Sequence, residues 1–185
     1  MAVAQRMSEA AYQQFVLSGV EGSWELHDGR LVEKPGMSWK HGSIVTRLIA
    51  AFDQQLDPAE FRVFTELRVR RPTATIFLPD LMIVPTSYGE VIRDLPVLAI
   101  FSDPLPLVVE VWSPSTGDYD VDAKLPVYQQ RGDLEIWRIH PYERTLTARR
   151  RQPDGSYQET LHRDGTITPV ALPGVTIDLD ALLDT

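Results

Sequence analysis

Leu107-Val108-Val109-Glu110-Val111-Trp112-Ser113-Pro114-Ser115-Thr116-Gly117-Asp118-Tyr119-Asp120-Val121-Asp122-Ala123-Lys124 decides how the rest of the chain is read. It opens with an apolar, β-branched run, the pattern of a buried strand. Glu110 interrupts that run. A charge inside a buried strand is expensive unless something pairs with it, and a bound cation is one such partner. Strand side chains alternate, so Val108, Glu110 and Trp112 share one face and Val109, Val111 and Ser113 the other. Ser113 to Gly117 forces a turn. The Asp-rich segment after it reads as the start of a helix that carries Lys124. A buried carboxylate therefore lies one short turn away from a lysine. Upstream, Pro79-Asp80 opens a second apolar strand, Leu81 to Val84.

The chain of 185 residues is long enough for one unit with a real core. It has no cysteine, which excludes disulfides and thiolate metal sites and leaves His and carboxylates as ligands. That composition is compatible with a reducing cytoplasm, the expected location. No apolar run approaches the roughly 20 residues that span a bilayer, and the N-terminus lacks the pattern of a signal peptide. A formal net charge of -8 argues against indiscriminate nucleic-acid binding, though a local basic surface is compatible with it.

Outward from the quoted stretch, Ser8 caps an expected helix over Glu9 to Leu17 that Gly19 ends. Trp24 to His27 and Arg30 to Glu33, joined by Asp28-Gly29, read as a tight hairpin. Ser38 to Leu56 reads as the longest helix, with Ile44, Val45, Leu48, Ile49 and Phe52 toward the core. Phe61 to Arg71 alternates as one strand, and Pro72 to Phe77 reads as a turn. Pro85 to Pro106 reads as a long surface loop with a helical turn around Glu90 to Arg93. Pro126 delays or bends the Lys124 helix, and Gly132 ends it. Leu134 to Ile139 is a strand again, so strand, helix and strand form a right-handed parallel crossover. Arg144 to Arg151 and Ser156 to His162 form a meander, and Val175 to Leu183 closes the chain with a short strand and a helical turn. The class is mixed α+β, one domain over residues 1–185.

Asp80 and Glu110 stand on strands expected to be neighbours. Two converging carboxylates make a hard-oxygen site suited to Mg²⁺ or Mn²⁺. Lys124 is placed to orient an attacking water or stabilise charge on a pentavalent phosphorus. The plainer reading makes Asp80 a turn residue, Glu110 the partner of Lys124, and Lys124 a solvated helix residue. His41, near the start of the long helix, is either structural or part of the site. Glu66 shares an expected strand face with arginines, which makes ion pairing its default. Arg68, Arg70 and Arg71 form one basic cluster and Arg149 to Arg151 another. The second reads as edge-strand protection rather than phosphate contact.

Pro79-Asp80, Glu110 to Thr116, Asp120 to Lys124, Tyr128, Gly132 and Trp137 together resemble the Uma-two family of restriction-endonuclease-type proteins, in the PD-(D/E)xK nuclease superfamily. Asp28-Gly29, the helix carrying His41 and Leu172-Pro173-Gly174 extend the resemblance from about Trp24 to Leu183. It implies a restriction-endonuclease-like mixed sheet flanked by helices, with an N-terminal hairpin and a C-terminal meander. It implies Asp80 and Glu110 as metal ligands, completed by the Val111 backbone carbonyl, and Lys124 as the third catalytic group. His41, Glu66, Ser113 and Asp120 would support them. The superfamily's usual lysine position is Trp112 here, and Lys124 on the following helix takes its place; His140 stands where the family often has Asp. The implied activity is Mg²⁺-dependent hydrolysis of DNA by a homodimer, with Mn²⁺ as the alternative ion. The rival is a non-catalytic module of the same fold that binds nucleic acid or protein. A metal-free hydrolase with the two acids as general acid and base leaves Lys124 without a role.

Overall fold

The computed structural model describes residues 6–184; the first five residues and Thr185, which belong to the expected unit of 1–185, lie outside them. The chain starts with α1 (Glu9–Leu17), where the Ser8 hydroxyl accepts the Ala11 N–H as expected of an N-cap. β1 (Ser23–His27) and β2 (Arg30–Lys34) pair antiparallel around Asp28 and Gly29, both at positive φ. That pair of left-handed residues is what a two-residue hairpin needs. α2 (Trp39–Asp53) follows, capped by the Ser38 side chain, with Ile44, Val45, Leu48 and Phe52 buried.

The expected single strand over Phe61 to Arg71 is two strands. β3 (Phe61–Phe64) and β4 (Arg68–Arg71) belong to different sheets, and the chain turns between them at Glu66, whose φ is 58°. Periodicity alone cannot see such a corner, because alternation survives on both sides of it. The expected turn after Pro72 is tighter than read: Thr73 and Ala74 make it at positive φ, and β5 (Thr75–Phe77) returns antiparallel to β4. β6 (Leu81–Pro85) comes next. The loop that follows holds α3 (Thr86–Gly89), then the expected turn at Glu90 to Arg93, closed by the Arg93 N–H on the Gly89 carbonyl at 2.8 Å, and β7 (Ile100–Phe101), which pairs parallel to β4.

β8 (Leu107–Val111) is buried at every position. A π-helical turn, Asp120–Lys124, leads into α4 (Leu125–Arg131), so the helix starts late, with Pro126 in its first turn where no N–H is needed. Gly132, at φ 80°, ends it. β9 (Glu135–His140) then pairs parallel to β8, and β10 (Thr145–Arg151) and β11 (Tyr157–His162) continue as the expected antiparallel meander. β12 (Thr166–Ile167), β13 (Ile177–Asp178) and α5 (Leu179–Leu183) close the chain.

Six strands form the main sheet in the order β11-β10-β9-β8-β6-β3, and five form a second in the order β2-β1-β5-β4-β7. One face of the main sheet, with Leu81, Ile83, Val109, Val111 and Trp137, packs on α2 and α5. The other face, with Met82, Val108 and Ile136, packs on Val69, Phe77, Phe101 and the α4 residues Val127 and Tyr128. Tyr12, Leu26 and Ile76 make a smaller cluster under α1. Since β10 lies inside the sheet, Arg149 and Arg150 do not guard an edge. They pair with Glu159 at 2.7 Å and Glu135 at 3.2 Å.

One side chain stitches α4 to the second sheet. Arg131 donates to the carbonyls of Arg70 (2.6 Å), Phe101 (2.9 Å) and Asp103 (2.8 Å) and pairs with buried Asp133 at 3.0 Å. Removing it strands a buried carboxylate and several carbonyls. Arg131→Met is expected to lower unfolding free energy by about 3–5 kcal/mol in urea denaturation, with an unchanged m value.

Candidate active site

The pairing of β6 with β8 builds the site. Its register sets Leu81 against Val109 and Met82 against Val108, with Asp80 just before β6 and Glu110 next along β8. Glu110 alternates with Val109 and so lies on the face covered by α4, and Asp80 stands at the strand's start beside it, lining the same small cavity. The two acids that sequence reasoning singled out are brought together at one end of the main sheet, both buried.

Asp80 is fully engaged. Its Oδ1 lies 2.7 Å from Lys34 Nζ, and its Oδ2 meets His41 Nε2 at 2.9 Å and accepts the Val111 N–H at 2.7 Å. Burial opposes ionisation, but Lys34 and His41 outweigh it and hold the carboxyl below the usual carboxylate range. Lys34 also donates to the Leu78 carbonyl at 2.9 Å. His41, one turn into α2, is thus placed in the site. Val111 reaches Asp80 through its N–H.

Glu110 sits in a different environment. Its Oε1 accepts the Tyr128 hydroxyl, and Lys124 Nζ stands 3.3 Å away. Burial raises its pKa well above the ordinary value, Lys124 opposes this, and Asp120 and Asp80 add to it. The same ammonium lies 3.0 Å from Glu25 Oε1 and 3.3 Å from Asp120 Oδ1. Burial would favour neutral Lys124, but Glu110, Glu25 and Asp120 outweigh it and raise its pKa. At 1 % exposure Lys124 is a caged cation, not the solvated helix residue of the plainer reading. Asp120 and Tyr128 lie one turn to either side of it, on the shared face that a helix provides.

Two expected supporting residues make no hydrogen bond to this network. Ser113 is buried and lines the small cavity with Asp80, Glu110 and Lys124, but its hydroxyl meets Ser115 Oγ at 2.9 Å and Thr116 Oγ1 at 3.2 Å within its own turn. Glu66 does not share a strand face with arginines. It is exposed at the corner between β3 and β4 and lines a cleft of about 380 Å³ with Lys34 and Asp80. Sequence reasoning missed Glu25 and Lys34 as members of the site. Glu25 had one readable signal: the hairpin register sets it opposite Val32, an apolar neighbour that suits burial rather than pairing. Lys34 had none, because it meets Asp80 only through tertiary packing.

The donor set suits a hard divalent cation in its chemistry. Four buried acidic side chains, Glu25, Asp80, Glu110 and Asp120, face two lysines, so acids outnumber bases in the cluster before His41 is counted. Asp120 Oδ1 is buried without a hydrogen bond. As the side chains stand, however, no three His, Asp or Glu among the described residues converge closely enough to hold a metal. Lys34 and Lys124 take up the oxygens, so a cation at Asp80 must displace the Lys34 ammonium.

The Asp80 network makes a pH prediction. A carboxyl whose pKa is lowered on folding adds stability above its unfolded pKa and loses it as pH falls through the folded one. Asp80→Asn is expected to cost on the order of 3 kcal/mol at pH 7 in chelator, the scale of a broken buried pair. The gap to wild type should narrow as pH falls below about 4. Urea melts of both proteins across pH 3 to 7 check this.

The match to a family model covers residues 10–180, and that family, Uma2, is described as putative restriction endonuclease. A comparison with curated proteins gives no match. Among solved structures, this chain is similar to a putative nuclease belonging to DUF820 from Anabaena variabilis ATCC 29413. The TM-score is 0.75 at 19 % identity, covering 90 % of this chain and 94 % of that one. At that identity the likeness speaks for the fold, the restriction-endonuclease-like mixed sheet expected from the sequence. With nearly the whole chain matched and the Asp80, Glu110 and Lys124 side chains gathered at one end of that sheet, this protein belongs to the Uma2 family.

Proposed function

We propose that this protein is a Mg²⁺- or Mn²⁺-dependent endonuclease that hydrolyses DNA phosphodiester bonds, working as one PD-(D/E)xK-type domain and as a homodimer. The observation that carries the reading is the gathering of Asp80 and Glu110 around one small cavity, with Lys34 and Lys124 beside them. Asp80, Glu110 and the Val111 carbonyl would hold the cation. A bound divalent ion lowers the pKa of water and neutralises charge on a phosphoryl oxygen.

The chain's own groups have separable tasks. His41 and the Val111 N–H orient Asp80 from two elements. Tyr128 and Lys124 orient Glu110. Lys124 lines the same small cavity as Asp80 and Glu110, from where its charge can act on an attacking water or on the phosphorane. Lys34, at 14 % side-chain exposure, is the more open of the two lysines and competes with the cation for Asp80. Asp120 and Glu25 keep Lys124 charged.

One observation favours the rival, a non-catalytic module that binds nucleic acid or protein: every Asp80 oxygen is satisfied by protein groups alone. Two measurements separate the readings. Single- and double-stranded DNA should be cut only with Mg²⁺ or Mn²⁺, and Asp80→Ala should slow cleavage by about a hundredfold or more. No cleavage under any of these conditions leaves the rival standing. In calorimetric titration, Glu110→Gln should largely remove Mn²⁺ binding. Lys34→Met should instead tighten it, on the order of tenfold, because a competing ammonium has gone.

A further inference from the structure

Trp112 occupies the superfamily's lysine position, and the metal-site reading gives it nothing to do. Its indole stacks on the His140 ring, 4.4 Å between centroids and 21° between planes. Tyr142 packs edge-on against it at 5.7 Å and 83°. Lys40 Nζ lies 5.2 Å from the Tyr142 ring centre. Tyr142 is 50 % exposed. Three separate segments thus build one aromatic shelf with a cation on it: the end of β8, the β9–β10 turn and the first turn of α2. That much aromatic surface left in water marks a contact surface more often than a packing accident.

The shelf adjoins the acids at two points. Trp112 follows Val111, whose N–H holds Asp80, and Lys40 precedes His41, whose ring holds the same carboxylate. We propose that this shelf stacks an unpaired base of a nucleic-acid strand, so that the preferred substrate is single-stranded or frayed DNA rather than intact duplex; the proposal rests on the nuclease reading above. Every base offers a π face, and aromatic rings with an adjacent cation bind it without regard to sequence.

Charge decides between strand and duplex. Duplex affinity comes mostly from many free Lys and Arg contacts to phosphate. Here the chain carries -8, and Arg70, Arg71, Arg138, Arg149 and Arg150 are ion-paired with acids. On the shelf itself Lys40 is the cation, and Glu143 is the acid, its N–H donating to His140 Nδ1 at 3.1 Å. Stacking supplies affinity that this surface cannot draw from phosphates, and a base inside a duplex is not free to stack on protein.

Fluorescence anisotropy of the wild-type protein in chelator tests this. The probes are a labelled ten-nucleotide oligothymidylate, an abasic strand of equal length, and a blunt hairpin duplex. The base-bearing strand should bind about tenfold more tightly than the abasic one. Tyr142→Ala should lose that preference; the side chain is 50 % exposed, and circular dichroism checks that the fold is kept. Equal binding of the two strands, no binding of either, or an unchanged preference in the variant overturns the proposal. So does light scattering that finds a dimer which the variant dissolves, since the shelf is then a contact between copies. Cleavage is scored separately with Mg²⁺. Cleavage without base preference overturns the shelf alone, and base preference without cleavage removes the nuclease reading while the shelf as a strand-binding surface stands.

Discussion

A lysine ammonium held among three carboxylates ties this structure together. Lys124 reaches Glu25 on β1, Glu110 on β8 and Asp120 on its own π-helical turn. The first belongs to the five-stranded sheet and the second to the six-stranded one. Apolar packing joins the sheets elsewhere, through Val69, Phe77 and Val108. At this end charge does it. Buried ions are costly unless they are bonded several times over, and Glu25 and Glu110 are, while Asp120 has the Lys124 ammonium beside it. Glu25 also accepts the Leu78 N–H, and Glu110 the Tyr128 hydroxyl.

The same network makes Asp80 and Glu110 unequal. Asp80 is approached by Lys34, His41 and a backbone N–H, so its charged form is favoured despite burial. Glu110 is more deeply enclosed, next to Asp120 and Asp80, so its proton is held more tightly. Their difference comes from environment and not from residue type. Any further positive charge entering between them favours ionised Glu110.

Elsewhere positive charge is spent on structure. Arg131 bonds carbonyls of the second sheet, Arg150 meets Glu135, and Arg70 meets Glu9 on α1. Of the basic clusters that stand out in the sequence, Arg70, Arg71, Arg149 and Arg150 are ion-paired in the fold, and Arg68 donates to the Tyr12 hydroxyl. The surface near the acids is marked by aromatic rings and Lys40 instead.

Much of the fold was legible because local patterns carried it. Ser8 caps the helix expected of it, the long helix expected from Ser38 runs over Trp39–Asp53, Asp28-Gly29 makes the hairpin, and Gly132 ends α4. The apolar run with one acid in it, Leu107 to Val111, is the buried strand it promised to be. The likeness to a known family carried the choice of Asp80, Glu110 and Lys124, and β-pairing with the following turn is what assembles them. The corner at Glu66 was not legible, because alternation continues on both sides of it while the strand changes sheet. Glu25 and Lys34 were hidden for a related reason. Each is an ordinary hairpin residue in sequence, and the neighbours that make it part of the site, Lys124 and Asp80, lie far along the chain. A sequence determines periodicity, caps and turns because those forces act between near residues; which charges end up sharing one buried volume depends on packing between distant elements, and only the tertiary structure decides it.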